Sequence, residues 1–426
     1  MLDGRKAAAI WLCMLALVIA FGGISRGQID DEEAPSWIER DTLTGGWFGL
    51  QEKLERLGIR VDYSLTQVYQ RNVRGGLSTH RRSGDYTGSH GLELAIDLDL
   101  LADIRGGSVV VVGEGSWRNG VDPVAVGSLF GVNGDAAGNR SFDITEAWYE
   151  QYLFQDKLVF RAGKMNLTGG FECHGCPVAF DGNTFANDET SQFLNGALVN
   201  NPTIPFPDNG LGVAALVRPL PRCYVAAGVA DAQADARETG FNTAFHDEDY
   251  FFSVAEVGLL PLIPSSRGGL QGAYRFGVWY DPQPKATLDG TGTRRDDIGV
   301  YLSHDQALWR ERADGDDSQG LGVFGRWGWA DPDVSAITTF WSVGGQYQGI
   351  IPTRDDDVLA FGMAHGKLAR AAALTARREV AYEAYYNAAL AGWMTMTPSV
   401  QYVENPGGMR GADNAIVLGL RLNIAF

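Results

Sequence analysis

The last residues of the chain alternate strictly between apolar side chains and small or polar ones. One face of a strand would carry Ile416, Leu418, Leu420, Leu422, Ile424 and Phe426, and the other Val417, Gly419, Arg421, Asn423 and Ala425. Successive side chains of a strand point to opposite faces. A soluble sheet would need a second layer over such an apolar face, whereas lipid covers it in a membrane barrel with a polar lumen. The pattern therefore favours a strand of a transmembrane β-barrel.

The same period of two recurs along most of the chain after Ile59. In two further segments the apolar faces consist of Leu92, Leu94, Ile96 and Leu98, and of Tyr274, Phe276, Val278 and Tyr280. The opposite faces carry Glu93, Asp97 and Asp99, and Arg275, Trp279 and Asp281. Burying so many charges in a soluble core would be prohibitively costly, so a watered interior fits better. No apolar run after Gln28 reaches the roughly 20 residues that a transmembrane helix needs.

Counting such segments predicts an all-β, antiparallel transmembrane barrel of about 16 strands. The strands are expected near residues 59–71, 91–100, 108–118, 141–154, 157–166, 210–218, 222–231, 250–258, 270–281, 297–304, 319–329, 338–350, 357–366, 380–390, 393–403 and 414–426. Their connections mostly alternate between long and short, which is typical of long extracellular loops and short periplasmic turns. Asn72–His90 is expected to be a long loop, and Asp305–Ser318 is long although it falls on the turn side.

The first residues predict export. Arg5 and Lys6 precede an apolar run over 7–20, and Ser25 and Gly27 are small residues suited to a cleavage site, so residues 1–27 are expected to be a cleaved signal peptide. A retained anchor helix is the alternative. Residues 28–58 are expected to form an acidic leader and a short periplasmic helix, and residues 59–426 the outer-membrane barrel.

The formal net charge of −17 at pH 7 argues against a nucleic-acid partner, because phosphate contacts need clustered Lys and Arg. The same charge favours a mild preference for cations in a pore. The alternative is that the acidic residues lie on outer loops and do not affect permeation.

Several segments, in order along the chain, resemble the carbohydrate-selective porins of the OprB type. They are Gly45-Gly46-Trp47, Leu57-Gly58-Ile59, Glu146-Ala147-Trp148-Tyr149-Glu150-Gln151, Phe160-Arg161-Ala162-Gly163-Lys164, Glu383-Ala384-Tyr385-Tyr386, the run from Pro398 to Gly408, and Gly419-Leu420-Arg421. Together they span residues 45–426. The resemblance implies a 16-stranded barrel that passes sugars passively through an occluded pore lined by charged and aromatic residues.

A sugar pore needs polar groups that exchange hydrogen bonds with hydroxyls, and aromatic faces that cover the apolar face of the ring. These contacts must hold the solute weakly enough to release it. The lumen-facing positions predict a set of pore-lining and sugar-contacting residues: Glu146, Trp148, Glu150, Arg161, Arg275, Trp279, Arg326, Gln346, Glu383 and Arg421. The alternative for each is an ordinary solvated residue of the barrel wall.

The connection over residues 167–209 is far longer than ordinary loops, and loops of that length are usually functional. We expect it to fold into the barrel as a constriction loop, with Asp181, Asp188, Glu189 and Phe193 near the aperture.

Cys173 and Cys176 flank His174 and Gly175 within this loop. A loop disulfide is the favoured interpretation in an exported protein, and free thiols are the alternative. A structural zinc site usually needs four ligands, and no second cysteine pair follows, so no metal is expected. Cys223 would remain a lone thiol. No nucleophile and base stand at a recognisable spacing, so neither catalysis nor a cofactor is expected.

The sequence therefore predicts an outer-membrane porin for passive diffusion of mono- or oligosaccharides. The expected partners are these solutes, outer-membrane lipid, and the barrel-assembly machinery, which would recognise the terminal Phe426. The alternatives are a general diffusion porin without sugar selectivity, a structural or adhesive barrel with a closed lumen, and a soluble secreted all-β protein.

Overall fold

A computed structural model of the chain describes Trp37 and residues 40–168, 179–245, 248–312, 319–370, 374–409 and 411–426. All of them belong to one compact unit, Trp37–Phe426. The expected signal peptide over 1–27 lies outside the described residues.

Sixteen antiparallel strands form a closed barrel, as the sequence predicted. They are β1 Ile59–Gly76, β2 Gly84–Asp97, β3 Gly107–Trp117, β4 Arg140–Leu153, β5 Leu158–Met165, β6 Gly210–Leu220, β7 Cys223–Asp231, β8 Phe251–Leu259, β9 Gly268–Asp281, β10 Asp297–Arg310, β11 Gly320–Trp329, β12 Ile337–Gln348, β13 Val358–Leu368, β14 Arg378–Ala391, β15 Met394–Glu404 and β16 Asp413–Ala425. A short strand, Leu262–Ser265, pairs with the start of β9, and Lys285–Ala286 pairs with Thr293–Arg294 in a separate hairpin.

The barrel closes because β1 pairs with both β2 and β16. On β16 Leu418 and Leu420 are 48% and 44% exposed, whereas Val417 and Arg421 are buried. The two faces predicted from the alternation are therefore the outside and the inside of the barrel. We call the end where β1 begins and β16 ends the termini end, and the opposite end the loop end.

Two connections differ from the sequence prediction. Only residues 77–83 join β1 to β2, because Arg71 already pairs with Gly84. The prediction of a long loop over Asn72–His90 is therefore wrong. The alternation that marks a strand is lost there, because both faces of the hairpin become polar while the backbone ladder continues. Likewise β10 extends to Arg310, which shortens the connection expected over Asp305–Ser318.

Short helices stand outside the ladder. They are the α-helices α1 Gly45–Glu55, α2 Leu98–Ala102 and α3 Gly196–Val199, the π-helix Asp122–Val126 and the 3-10 helix Pro406–Gly408. Within α1, Gly46, Trp47, Phe48 and Gly49 have left-handed backbone angles, so regular helix begins only after Gly49. Among the described residues no helix is long and apolar enough to cross a membrane.

The segment before α1 is attached to the termini end of the barrel. The Leu43 N–H donates to the Ala425 carbonyl oxygen at 2.8 Å, and the Trp393 indole N–H donates to the Trp37 carbonyl oxygen at 2.8 Å. The Arg40 carbonyl oxygen lies directly against Gly392. We call Trp37 and residues 40–43 the strap, because they contact both the end of β16 and the turn between β14 and β15.

Apolar side chains from residues 118–139 and 179–209 fill the interior. In one cluster Val121, Val126, Phe130, Val132, Phe193, Leu198 and Val199 pack against wall residues that include Phe324, Phe340 and Tyr385. In the other, Phe180 and Ile204 pack against Tyr224, Phe252, Trp279 and Tyr301. Burying each large apolar side chain contributes about 1.5–3 kcal/mol. The hydrophobic core thus lies between two inserted loops and the barrel wall.

We expect Gly392→Ala to lower the temperature at which the barrel unfolds in a heated SDS gel shift. An added Cβ would come within 2.4 Å of the Arg40 carbonyl oxygen, and such overpacking costs about 1–3 kcal/mol. Gly292→Ala is the matched control, because a Cβ there meets nothing within 4 Å. Equal unfolding temperatures for Gly392→Ala and wild type would show that the strap does not stabilise the barrel.

Candidate functional site

Arg326, on β11, holds the inserted loop from one side of the lumen. Its guanidinium lies 3.1 Å from the Asp181 carboxylate and donates to the carbonyl oxygens of Leu198 at 2.9 Å and Ala186 at 2.5 Å. The Arg326 side chain is 0% exposed. A guanidinium fixed to three points of one loop determines how that loop enters the barrel.

Glu383, on β14, holds the same loop at another point. Its carboxylate accepts the backbone N–H groups of Leu194 at 2.9 Å and Asn195 at 2.8 Å. The Asn195 carboxamide then donates to Gln401 on β15 at 3.1 Å. Because β11 and β14 are not neighbours in the sheet, the loop spans part of the lumen between them.

A third anchor is Glu256 on β8, which the sequence prediction missed. Its carboxylate accepts the Asp181 N–H at 3.1 Å and the hydroxyls of Tyr224 at 2.6 Å and Tyr301 at 2.8 Å. The available signal was a single carboxylate inside the apolar run 254–263. The three donors form charge-assisted hydrogen bonds to one buried carboxylate, and these bonds fix the Glu256 side chain and the loop residue that it contacts in one geometry.

The remaining residues expected near the aperture also lie on this loop. The Phe193 ring meets Phe324 at 5.5 Å and Tyr385 at 5.0 Å between ring centres. The Asp188 carboxylate accepts the Thr190 N–H at 2.7 Å and so stabilises the turn of the loop.

Arg421 reaches this turn from the wall. Its guanidinium donates to the Glu189 carbonyl oxygen at 2.9 Å and, on β15, to the Thr397 hydroxyl at 3.4 Å. Arg421 is buried, so its contacts are with the loop and the wall.

A second loop, residues 118–139, also enters the barrel, which the sequence prediction missed. The Val132 carbonyl oxygen accepts the carboxamides of Gln70 and Gln401, each at 2.8 Å. Glu379 accepts the backbone N–H of Leu129 at 3.0 Å and that of Gly407 at 2.7 Å. The sequence did contain a sign of this insertion, because apolar residues occur from Val121 to Val132 in a segment expected to be an outer loop.

Four predicted site residues line one cavity of about 1030 Å³ that opens towards the termini end: Glu146, Trp148, Glu150 and Arg161. The Arg161 guanidinium lies 3.7 Å from the centre of the Trp148 ring and 2.8 Å from the Glu150 carboxylate. The Trp148 N–H donates to Glu146 at 3.0 Å. Charged and aromatic groups therefore share one wall of this cavity.

Two more predicted residues, Arg275 and Gln346, line a second cavity of about 680 Å³. Arg275 is paired with Asp305 at 2.6 Å. Gln346 accepts the Tyr385 hydroxyl at 3.3 Å. Trp279 borders neither cavity and instead stacks on Phe252 within the wall.

Part of the negative charge lies on outer loops. Asp289 is exposed beside the hairpin at the loop end, where the backbone N–H of Thr291 and two threonine hydroxyls donate to it and hold its pKa at about 2. Such a carboxylate stays charged at any physiological pH.

The structure describes only some of the residues on which the cysteine and metal predictions rest. Cys173 and Cys176 lie outside the described residues, and Cys223 is a half-buried free thiol at the start of β7. In the described part of the chain, no three His, Cys, Asp or Glu side chains group as a metal site.

Comparison with known proteins identifies the family. A model of the carbohydrate-selective porins, OprB family, matches residues 81–426. Porin B of Pseudomonas aeruginosa is 21% identical, with 99% of this chain and 98% of that protein aligned. A putative porin, QuiX, of Acinetobacter baylyi is 20% identical over 91% of this chain and 94% of that protein.

A solved structure supports the fold. The high-pH structure of Pseudomonas putida OprB superposes with a TM-score of 0.77 at 19% identity, covering 92% of this chain and 100% of that one. At that identity the likeness concerns the fold, which is a closed all-β barrel. With the family match over residues 81–426, the chain belongs to the OprB family of carbohydrate-selective porins of the outer membrane.

Proposed function

We propose that small carbohydrates diffuse passively through this barrel along a pore that the loop over residues 167–209 narrows. The observation that carries the proposal is the position of residues 179–209, held inside the lumen by Arg326, Glu383 and Glu256. A channel of this kind has no catalytic group, because solute moves down its own gradient.

Two sets of residues divide the work in this proposal. Those that border the cavities provide the solute contacts: Glu146, Trp148, Glu150, Arg161, Arg275 and Gln346. Arg326, Glu383, Arg421, Asp181 and Phe193 position the loop, because their polar groups or rings already contact it or belong to it. Selectivity would then depend on the first set and pore size on the second.

The proposal also orients the barrel. The termini end, with α1 and the strap, faces the periplasm after the signal over 1–27 is removed. The lipid-exposed side of β16 ends at Phe426, whose N–H donates to the Tyr63 carbonyl oxygen at 3.0 Å. In the unclosed chain this aromatic terminus would be available to the assembly machinery, and lipid would cover the apolar faces afterwards.

Sugar should block the ion current of the purified barrel in a planar bilayer. We expect added mono- and disaccharides to reduce the conductance in a saturable manner, because an occupied constriction excludes hydrated ions. Conductance without saturable block would instead indicate a general diffusion porin. Absence of conductance would indicate a closed, structural barrel.

Replacing residues 169–207 by a short glycine–serine turn should raise single-channel conductance. Met165 of β5 pairs directly with Gly210 of β6, so a short turn can join these strands without changing the barrel. Circular dichroism and SDS resistance check that the barrel is intact. An intact barrel with unchanged conductance would contradict a constriction role for the loop.

Arg326→Met should release the loop while leaving the barrel folded. The change leaves the buried Asp181 carboxylate unpaired, and breaking a buried pair costs about 3–5 kcal/mol. We expect protease cleavage within residues 179–209 and a higher conductance. Arg294→Met is the matched control, because Arg294 pairs with Asp331 at the loop end, outside the lumen, and 45% of the Arg294 side chain is accessible. A folded Arg326→Met barrel whose loop resists protease as wild type does would refute the anchoring role.

A further inference from the structure

The two cavities at the termini end differ sharply in charge. Seven carboxylates and two arginines line the first cavity. The second has one carboxylate, two arginines and four glutamines. The inserted loop borders both, through Asn187 in the first and through Thr184 and Phe185 in the second. One loop segment thus lies between a strongly acidic chamber and a nearly neutral one.

We propose that the loop divides the lumen into two routes: the glutamine-lined cavity is a subsite for neutral mono- or disaccharides, and the acidic cavity conducts cations. This assignment rests on the proposed function, since it names where in the pore the sugar is held. Among the residues that contact solutes, it assigns those of the second cavity to sugars and those of the first to ions.

The Phe185 ring, which borders the second cavity, is held in place by the wall. The end of the Phe185 ring contacts β11, where a Cβ on Gly322 would come within 2.1 Å of the ring. A fixed ring that borders a cavity is suited to the apolar face of a sugar ring, because it loses little entropy on binding.

The polar groups of the second cavity suit a neutral solute. Gln271, Gln346 and Gln348 carry carboxamides, which both donate and accept, as sugar hydroxyls do. The charge of Arg275 is balanced by Asp305 at 2.6 Å. A volume of about 680 Å³ falls within the range of about 300–1,000 Å³ that small-molecule sites occupy.

The first cavity is less suited to stacking and better suited to cations. One face of Trp148 is covered by Arg161 at 3.7 Å, and the indole N–H is already bonded to Glu146. The excess of carboxylates, among them Asp99 and Asp156, raises the local concentration of cations.

The test measures glucose block and the K⁺/Cl⁻ permeability ratio on the full-length barrel in planar bilayers. Phe185→Leu and Gln346→Leu should each weaken glucose block by about three- to tenfold with the permeability ratio unchanged. Asp99→Asn combined with Asp156→Asn should lower the K⁺/Cl⁻ ratio while glucose block stays at the wild-type level. Phe361→Leu on the lipid-facing side, 56% exposed, is the matched control for Phe185→Leu.

Each outcome decides. If glucose blocks wild type but neither Phe185→Leu nor Gln346→Leu weakens the block, the subsite assignment is overturned and the proposed function stands. If both pairs of changes alter glucose block and ion ratio together, the lumen is a single route. If glucose and maltose never block wild type, the proposed function falls, and the subsite with it. If Phe185→Leu raises conductance because it moves the loop, Gln346→Leu is the deciding variant, since Gln346 belongs to the barrel wall.

Discussion

The backbone ladder between β1 and β16 is the interaction on which the rest of this structure depends. Lipid offers no partner for an unpaired backbone N–H or carbonyl, so a sheet in the membrane must close on itself. Val68 pairs with Arg421 and Leu65 with Ile424 along that seam. The strap continues this seam, because the Leu43 N–H donates to the carbonyl oxygen of Ala425, the last residue of β16. Closure fixes which side chains face lipid and which face the lumen, and everything inside follows from that division.

Inside the barrel the groups that need partners are polar side chains, because they face a volume that two loops partly fill. A buried charge is costly unless it is paired or hydrogen-bonded. Arg326, Glu383 and Glu256 meet that requirement by bonding to the loop backbone itself. The hydrogen bonds that offset the cost of desolvating these three charges also fix the position of the loop. The loop that we propose narrows the pore is therefore held by charge-assisted hydrogen bonds to its backbone as well as by its apolar contacts with the wall.

The sequence was informative about strands because alternation reports directly which face is covered by lipid. It therefore predicted sixteen strands and placed Glu146, Arg161 and Arg275 on the inner face. Alternation does not report what occupies the lumen, so wall residues that hold a loop and those that border open space look alike. The inserted loop over 118–139 was missed for that reason, and the β1–β2 hairpin was truncated where lipid no longer imposes a pattern.

One consequence is that side-chain type alone does not identify a solute contact in a barrel of this kind. Arg326 is bonded to three loop residues, whereas Gln346 borders a cavity and makes one long bond of 3.3 Å to Tyr385. Strong charged groups are drawn into anchoring because they gain most from loop carbonyls and N–H groups in a low-dielectric interior. Neutral carboxamides and rings gain less there, and weak, reversible contacts are what a channel needs to release its solute. Anchoring and permeation therefore separate by bond strength rather than by position along the strands.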